Sequence, residues 1–133
     1  MAIQLSEEVR NARLDAIEVT TGASAKLKIR SGAAPANCAA AESGTVLGTF
    51  DLPSDWMAAA ASGAKAKSGT WEETAADAGG TAEHFRLYKT DGSTCVLQGT
   101  VGQGSGDLSL DNTTIVLGQT ITVTAFTLTD GNA

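Results

Sequence analysis

From residue 25 onward, apolar and polar positions alternate. Ala25-Lys26-Leu27-Lys28-Ile29-Arg30 sets Leu27 and Ile29 on one face and three cations on the other, the period of a half-buried strand. A second strand is predicted over 45–52, stopped by Pro53, and a third over 67–74, centred on Trp71. Over 81–89, Phe85 and Leu87 oppose His84, Arg86 and Tyr88. Over 94–101, Cys95, Leu97 and Val101 point inward. Thr90-Asp91-Gly92-Ser93 between these two strands is a hairpin turn signal. Residues 108–116 predict one or two short strands around Asn112. In 119–129, Thr120, Thr122 and Thr124 alternate with Ile121, Val123 and Ala125, and then the phase slips so that Phe126 and Leu128 are inward. One extra residue near Ala125 predicts a β-bulge or a strand that changes sheets.

The period is different before residue 22. Ser6 is a candidate N-cap, with Glu7 and Glu8 in the first turn of a helix over 6–20 that Thr20, Thr21 and Gly22 end. Leu5, Val9, Ala12 and Ala16 fall on one face at helical spacing, whereas Leu14 and Ile17 fall off that stripe. The helix therefore offers apolar surface on two sides, one for its own domain and one for a neighbour. The chain divides into a helical segment, 1–22, and a β-domain, 23–133. About seven or eight short antiparallel strands after one helix predict a mainly β fold, a jelly-roll-like β-sandwich. Between strands, 31–44 reads as a long Ser/Gly/Ala/Pro loop, 53–62 as an irregular or single-turn segment around Asp55-Trp56-Met57 and an alanine run, and 102–106 as a Gly-rich tip.

Composition narrows the function. Only 5% of the chain is aromatic although 42% is hydrophobic, so the core is built from small residues and burial alone gives modest stability. A net charge of −6 with nine scattered basic residues supplies no counterion-releasing face for nucleic acid. No apolar run reaches the length of a membrane span, and Met1-Ala2-Ile3-Gln4-Leu5-Ser6-Glu7-Glu8 lacks the basic and apolar regions of a secretory signal. The single histidine, His84, sits on the outer face of a strand, where a surface role is expected rather than a catalytic one. Glu7-Glu8 and Glu72-Glu73 are neighbours whose side chains diverge. Asp107 and Asp111 lack the rest of an EF-hand. Asn112-Thr113-Thr114 matches a glycosylation sequon short enough to arise by chance. Cys38 and Cys95 are either two buried thiols or one bridge, and with one histidine they make a poor metal site. No catalytic, cofactor-binding or metal-ligating residue is assigned.

Four segments carry more than this pattern: Val9-Arg10-Asn11-Ala12-Arg13-Leu14-Asp15-Ala16-Ile17-Glu18; Ile29-Arg30-Ser31-Gly32-Ala33-Ala34-Pro35; Asp51-Leu52-Pro53-Ser54-Asp55-Trp56-Met57; and Leu110-Asp111-Asn112-Thr113-Thr114 through Phe126-Thr127-Leu128-Thr129. Together they resemble a family of short virion-associated proteins encoded among the head and tail genes of tailed bacteriophages. The resemblance implies a structural protein with no active site and no cofactor, assembled in the host bacterial cytoplasm and carried on the virion. Some tailed phages bear jelly-roll cement proteins of similar size and strand count on the capsid exterior. The expectation is therefore a capsid cement or decoration protein that clamps capsomers. Its partners would be the major capsid protein or other virion proteins, with a homo-oligomer, dimer or trimer, and neither nucleic acid nor membrane among them. The alternative is a tail, baseplate or fibre-associated module, with host carbohydrate as a ligand and Trp56, Trp71 and Tyr88 as the candidate contacts. Leu14, Ile17, Trp56 and Met57 are the interface candidates, with the 31–44 and 53–62 loops beside them.

Overall fold

The computed structural model describes residues 3–131. Met1 and Ala2 of the helical segment, and Asn132 and Ala133 of the β-domain, lie outside the described residues. Helix α1 (Glu7–Thr21) is followed by β1 (Lys26–Arg30), β2 (Val46–Asp51), β3 (Ala64–Ala66), β4 (Glu72–Glu73), β5 (Gly80–Thr81), β6 (His84–Tyr88), β7 (Cys95–Gly102), β8 (Leu108–Leu110), β9 (Thr114–Ile115) and β10 (Ile121–Thr129). The fold is mainly β with one helix. Ser6 caps α1, its hydroxyl accepting from Val9 N at 3.2 Å, and Gly22 ends it at φ +88°.

One curled, mixed sheet runs in the order β2-β1-β6-β7-β8-β10-β3, with β4 also on β10, and β5 pairs β9 separately. The curl brings its ends together. The segment after β4 lies along β2, where Asp77 N donates to Leu47 O at 2.8 Å and the Thr49 hydroxyl to Asp77 Oδ2 at 2.9 Å. Inside the curl, aromatic rings form a chain: Trp56 to Trp71 at 6.1 Å, Trp71 to Phe126 at 5.5 Å, and Phe126 edge-on to Phe85 at 5.6 Å. Leucine, isoleucine and valine from β1, β2, β6, β8 and β10 complete the core.

The phase slip in the last strand is a register shift between Val123 and Ala125 opposite β8. The 90–93 turn joins β6 to β7, with Gly92 at φ +71°. The predicted strand over 67–74 shrinks to Glu72–Glu73, and Trp71 is buried by packing against the other rings rather than by a long ladder. The unforeseen strand is β3, within the alanine-rich stretch.

The expectation of antiparallel pairing throughout is corrected at one place. β7 and β8 are parallel, pairing Val101 with Leu108 and Gly102 with Ser109. Parallel neighbours ordinarily need a crossover of a dozen or more residues; here a coil over 103–107 suffices because two glycines let the backbone fold onto itself. A Cβ on Gly102 would lie 2.6 Å from Ser105 O. Gly106 holds φ +78°, and a Cβ there would lie 2.9 Å from Gly102 N. Asp107 closes the coil, its Oδ2 accepting from Thr100 N at 2.9 Å. Gly106→Ala is therefore expected to cost about 1–3 kcal/mol, seen in urea unfolding as a lower midpoint with an unchanged slope.

Candidate functional site

Helix α1 is held to the sheet by polar groups. Glu7, Asn11, Asp15 and Glu18 recur at three- and four-residue spacing and so share one face. They act as acceptors for the backbone of the irregular segment that follows Trp56. Met57 N donates to Glu18 Oε2 at 3.2 Å, Ala60 N to Asp15 Oδ1 at 3.0 Å, Ser62 N to Glu7 Oε1 at 3.2 Å, and Gly63 N to Asn11 Oδ1 at 2.9 Å. Beneath them lies Lys65 of β3, with 1% of its side chain exposed. Its Nζ reaches Asp15 Oδ1 at 2.6 Å, Glu18 Oε1 at 3.0 Å and Ala58 O at 2.8 Å. Burial works against the Lys65 charge, but the hydrogen bonds to Asp15 and Glu18 outweigh it and its pKa is raised. Asp15 is lowered, first by the Lys65 hydrogen bond and then by the Ala60 N–H. At the helix C-terminus Trp56 Nε1 donates to Gly22 O at 3.0 Å, and in mid-helix Arg13 pairs with Asp130 at 3.1 Å.

This attachment decides which helix face is left over. Leu14, 2% exposed, points into the domain and Ile17 is half-buried. Of the expected stripe, Val9, Ala12 and Ala16 lie on the opposite side, since residues advance about 100° each; Leu5 precedes the N-cap and is half-buried. The stripe faces solvent: Val9 is 46% exposed, Ala12 and Ala16 are exposed, and Val19, next in the same spacing, is 80% exposed. The side that packs on the domain is that of Leu14, and the Val9, Ala12, Ala16 side is the one left exposed. Val19 extends the stripe by the same spacing that revealed its other members. The parallel recurrence of acceptors at Glu7, Asn11, Asp15 and Glu18 was the signal for the inner face.

The other interface candidates are corrected by burial. Trp56 is 0% and Met57 1% exposed, because the curled sheet encloses Trp56 in the aromatic chain and Met57 packs beside it. Neither has side-chain surface left for a partner, nor has Leu14. The same burial takes Trp71 and Tyr88 away from any sugar-stacking role.

A second irregular segment covers the outer face of β6. His84, expected at the surface, is 1% exposed under it, with Nδ1 2.6 Å from Gly32 O; a carbonyl only accepts, so Nδ1 carries the hydrogen. Arg86 Nη2 donates to Asn37 O at 2.9 Å and Ala40 O at 3.0 Å, and Gln98 Nε2 to Pro35 O at 2.6 Å. Glu42 closes the flap, accepting from Tyr88 OH at 2.6 Å and pairing with Arg30 at 2.7 Å. The strand cations are thus engaged within the chain: Lys26 meets Asp51 at 2.5 Å, and Lys28 lies 4.9 Å over the Tyr88 ring. Glu42 sits below the usual carboxylate range, chiefly through the Tyr88 hydrogen bond, with Arg30 and Lys28 adding to it against partial burial. Burial, then the Glu42 hydrogen bond, pushes Tyr88 up.

Among the described residues no cluster of three or more His, Cys, Asp or Glu is placed to hold a metal ion. No helix there is long and apolar enough to cross a membrane.

Lys65→Ala is expected to lower unfolding stability by about 2–4 kcal/mol, since it empties a buried site and leaves two carboxylates side by side. Lys65→Met should recover part of that loss, with Trp56 fluorescence reporting the helix contact in denaturant titrations. For the flap, the lowered Glu42 pKa fixes the sign. Its contribution is complete above the ordinary glutamate value of 4.5 and fades as pH falls through the lower folded value. Hydrogen-exchange protection of the 31–45 amides should drop over that acid range, and Glu42→Gln should flatten the dependence.

No family model, curated protein or solved structure matches this chain, so what the site can do is read from its own geometry.

Proposed function

We propose that this chain is a structural protein of a tailed-phage particle, a capsid cement or decoration protein. In this reading it binds the outer capsid surface and clamps neighbouring capsomers, with the major capsid protein as principal partner and a dimer or trimer as the bound form. The curled sheet is taken as a small jelly-roll-like sandwich. The reading draws on the resemblance of the four segments described above. It is carried by one observation: the helix turns Glu7, Asn11, Asp15 and Glu18 to the domain and leaves Val9, Ala12, Ala16 and Val19 outward. Burying such a stripe against a protein partner releases water from apolar surface. Alanines at its centre allow close approach of another backbone. The tail or fibre alternative with carbohydrate binding loses ground, because the three aromatic residues that could stack on a sugar are buried.

Capsids prepared without the protein are the test. Added protein should co-sediment with them and raise their disassembly temperature, at a copy number that matches the capsomers. Val9→Asp combined with Val19→Asp should weaken that binding by roughly tenfold or more while leaving the circular dichroism spectrum and melting temperature of the free protein nearly unchanged. Equal disassembly temperatures with no co-sedimentation would falsify the proposal.

A further inference from the structure

The two cysteines, 57 positions apart in the chain, belong to the two layers that the flap brings together. Cys38 lies in the flap, and the backbone around it is fixed: Asn37 O and Ala40 O both accept from Arg86 Nη2, while Asn37 Oδ1 takes the amides of Ala39 and Ala40 at 2.9 and 3.0 Å. Cys95 begins β7 opposite Tyr88. Antiparallel partners share a face, so the register shift after Leu87 sets Cys95, expected inward, on the outer side of the sheet with Tyr88, under the flap. Its thiol donates weakly to Leu97 O at 3.6 Å, and Cys38 is the neighbouring thiol that acts on it. Both residues are half-buried and unbridged. The two thiols thus sit on separate segments, each independently anchored, that meet where the flap covers the outer face of β6 and β7.

We propose that Cys38 and Cys95 form a disulfide when the protein meets a small-molecule disulfide oxidant, and that the bond latches the flap over β6. The chemistry is thiol–disulfide exchange. A protein thiolate attacks one sulfur of the oxidant, forming a mixed disulfide and expelling one small thiol. The second protein thiolate attacks the protein-side sulfur of that mixed disulfide and expels the other small thiol. Two protein thiols give up two protons and two electrons, and one oxidant disulfide becomes two thiols. Burial and the neighbouring Cys38 push the Cys95 thiol up to about 12, and exchange through either cysteine leads to the same bond. Closure of so long a loop restricts the unfolded chain, and in the folded protein it ties down a segment otherwise held by side-chain hydrogen bonds.

The experiment treats the reduced full-length protein with oxidised glutathione. Intact mass should fall by the two hydrogens lost, free-thiol titration should go from two groups to none, and a proteolytic digest should yield one linked peptide pair containing Cys38 and Cys95. The melting temperature of the oxidised form should exceed that of the reduced form by roughly 5–15 °C. Cys38→Ser and Cys95→Ser, each near-isosteric, should fold, gain no intramolecular bond and show no shift. Two titratable thiols persisting after oxidation would overturn the proposal. So would stable glutathione adducts on one cysteine, or covalent dimers in place of the internal bond.

Discussion

Irregular backbone that lies against a folded body must still find hydrogen-bond partners, and this chain has two such segments in place of additional sheet or helix. One supplies carbonyls: Gly32, Pro35, Asn37 and Ala40 turn theirs toward His84, Gln98 and Arg86. The other supplies amides: Met57, Ala60, Ser62 and Gly63 turn theirs toward Glu18, Asp15, Glu7 and Asn11. In each case regular structure presents a row of side chains at its own period, donors from a strand pair or acceptors from a helix. Chains rich in alanine and glycine have few side chains to anchor a loop, so the anchoring passes to the element beneath it.

This division explains the helix. A surface helix ordinarily turns its apolar stripe to the core. Here the core beneath is completed by Trp56, Met57 and the aromatic chain, and the helix is needed to satisfy the 57–63 amides and the Lys65 ammonium. Its acceptor face goes inward, with Leu14 filling the apolar gap among them. The Val9 to Val19 stripe is what remains. Helix and flap share a further consequence. Each is attached mainly by charged or polar contacts, so its attachment responds to pH and salt more than the aromatic core does.

Local signals were readable wherever the chain's own period decided the outcome. Ser6 and Gly22 bound the helix, Asp91-Gly92 makes the hairpin, and the slip after Val123 is a bulge. Signals failed where a distant segment decided. Alternation in 84–88 correctly separated Phe85 and Leu87 from His84, Arg86 and Tyr88, but it could not show that 31–45 would cover the second set. Nothing near Lys65 in sequence announces its carboxylate partners, which lie about fifty positions away on α1. The parallel pair depended on how tightly Gly102 and Gly106 let the chain coil, and a Gly-rich run reads equally well as a loose tip. Trp56 and Met57 belong to the core for a related reason. Tryptophan is favoured both at interface centres and in cores, and only the closing of the sheet decides between them.

The helix is also well supported for presenting a surface. Trp56 ties Gly22 to the aromatic chain, Arg13 ties the middle of the helix to Asp130 beyond β10, and Lys65 ties Asp15 and Glu18 to the sheet edge. Three attachments to three elements leave the stripe little freedom to tilt. Binding through a held helix avoids much of the ordering cost that a flexible segment pays on association. A helix docked by its apolar face would have been equally firm, but it would have offered only Glu, Asn and Asp to a neighbour. The inverted docking secures rigidity through polar contacts and keeps the apolar side chains for whatever the domain meets.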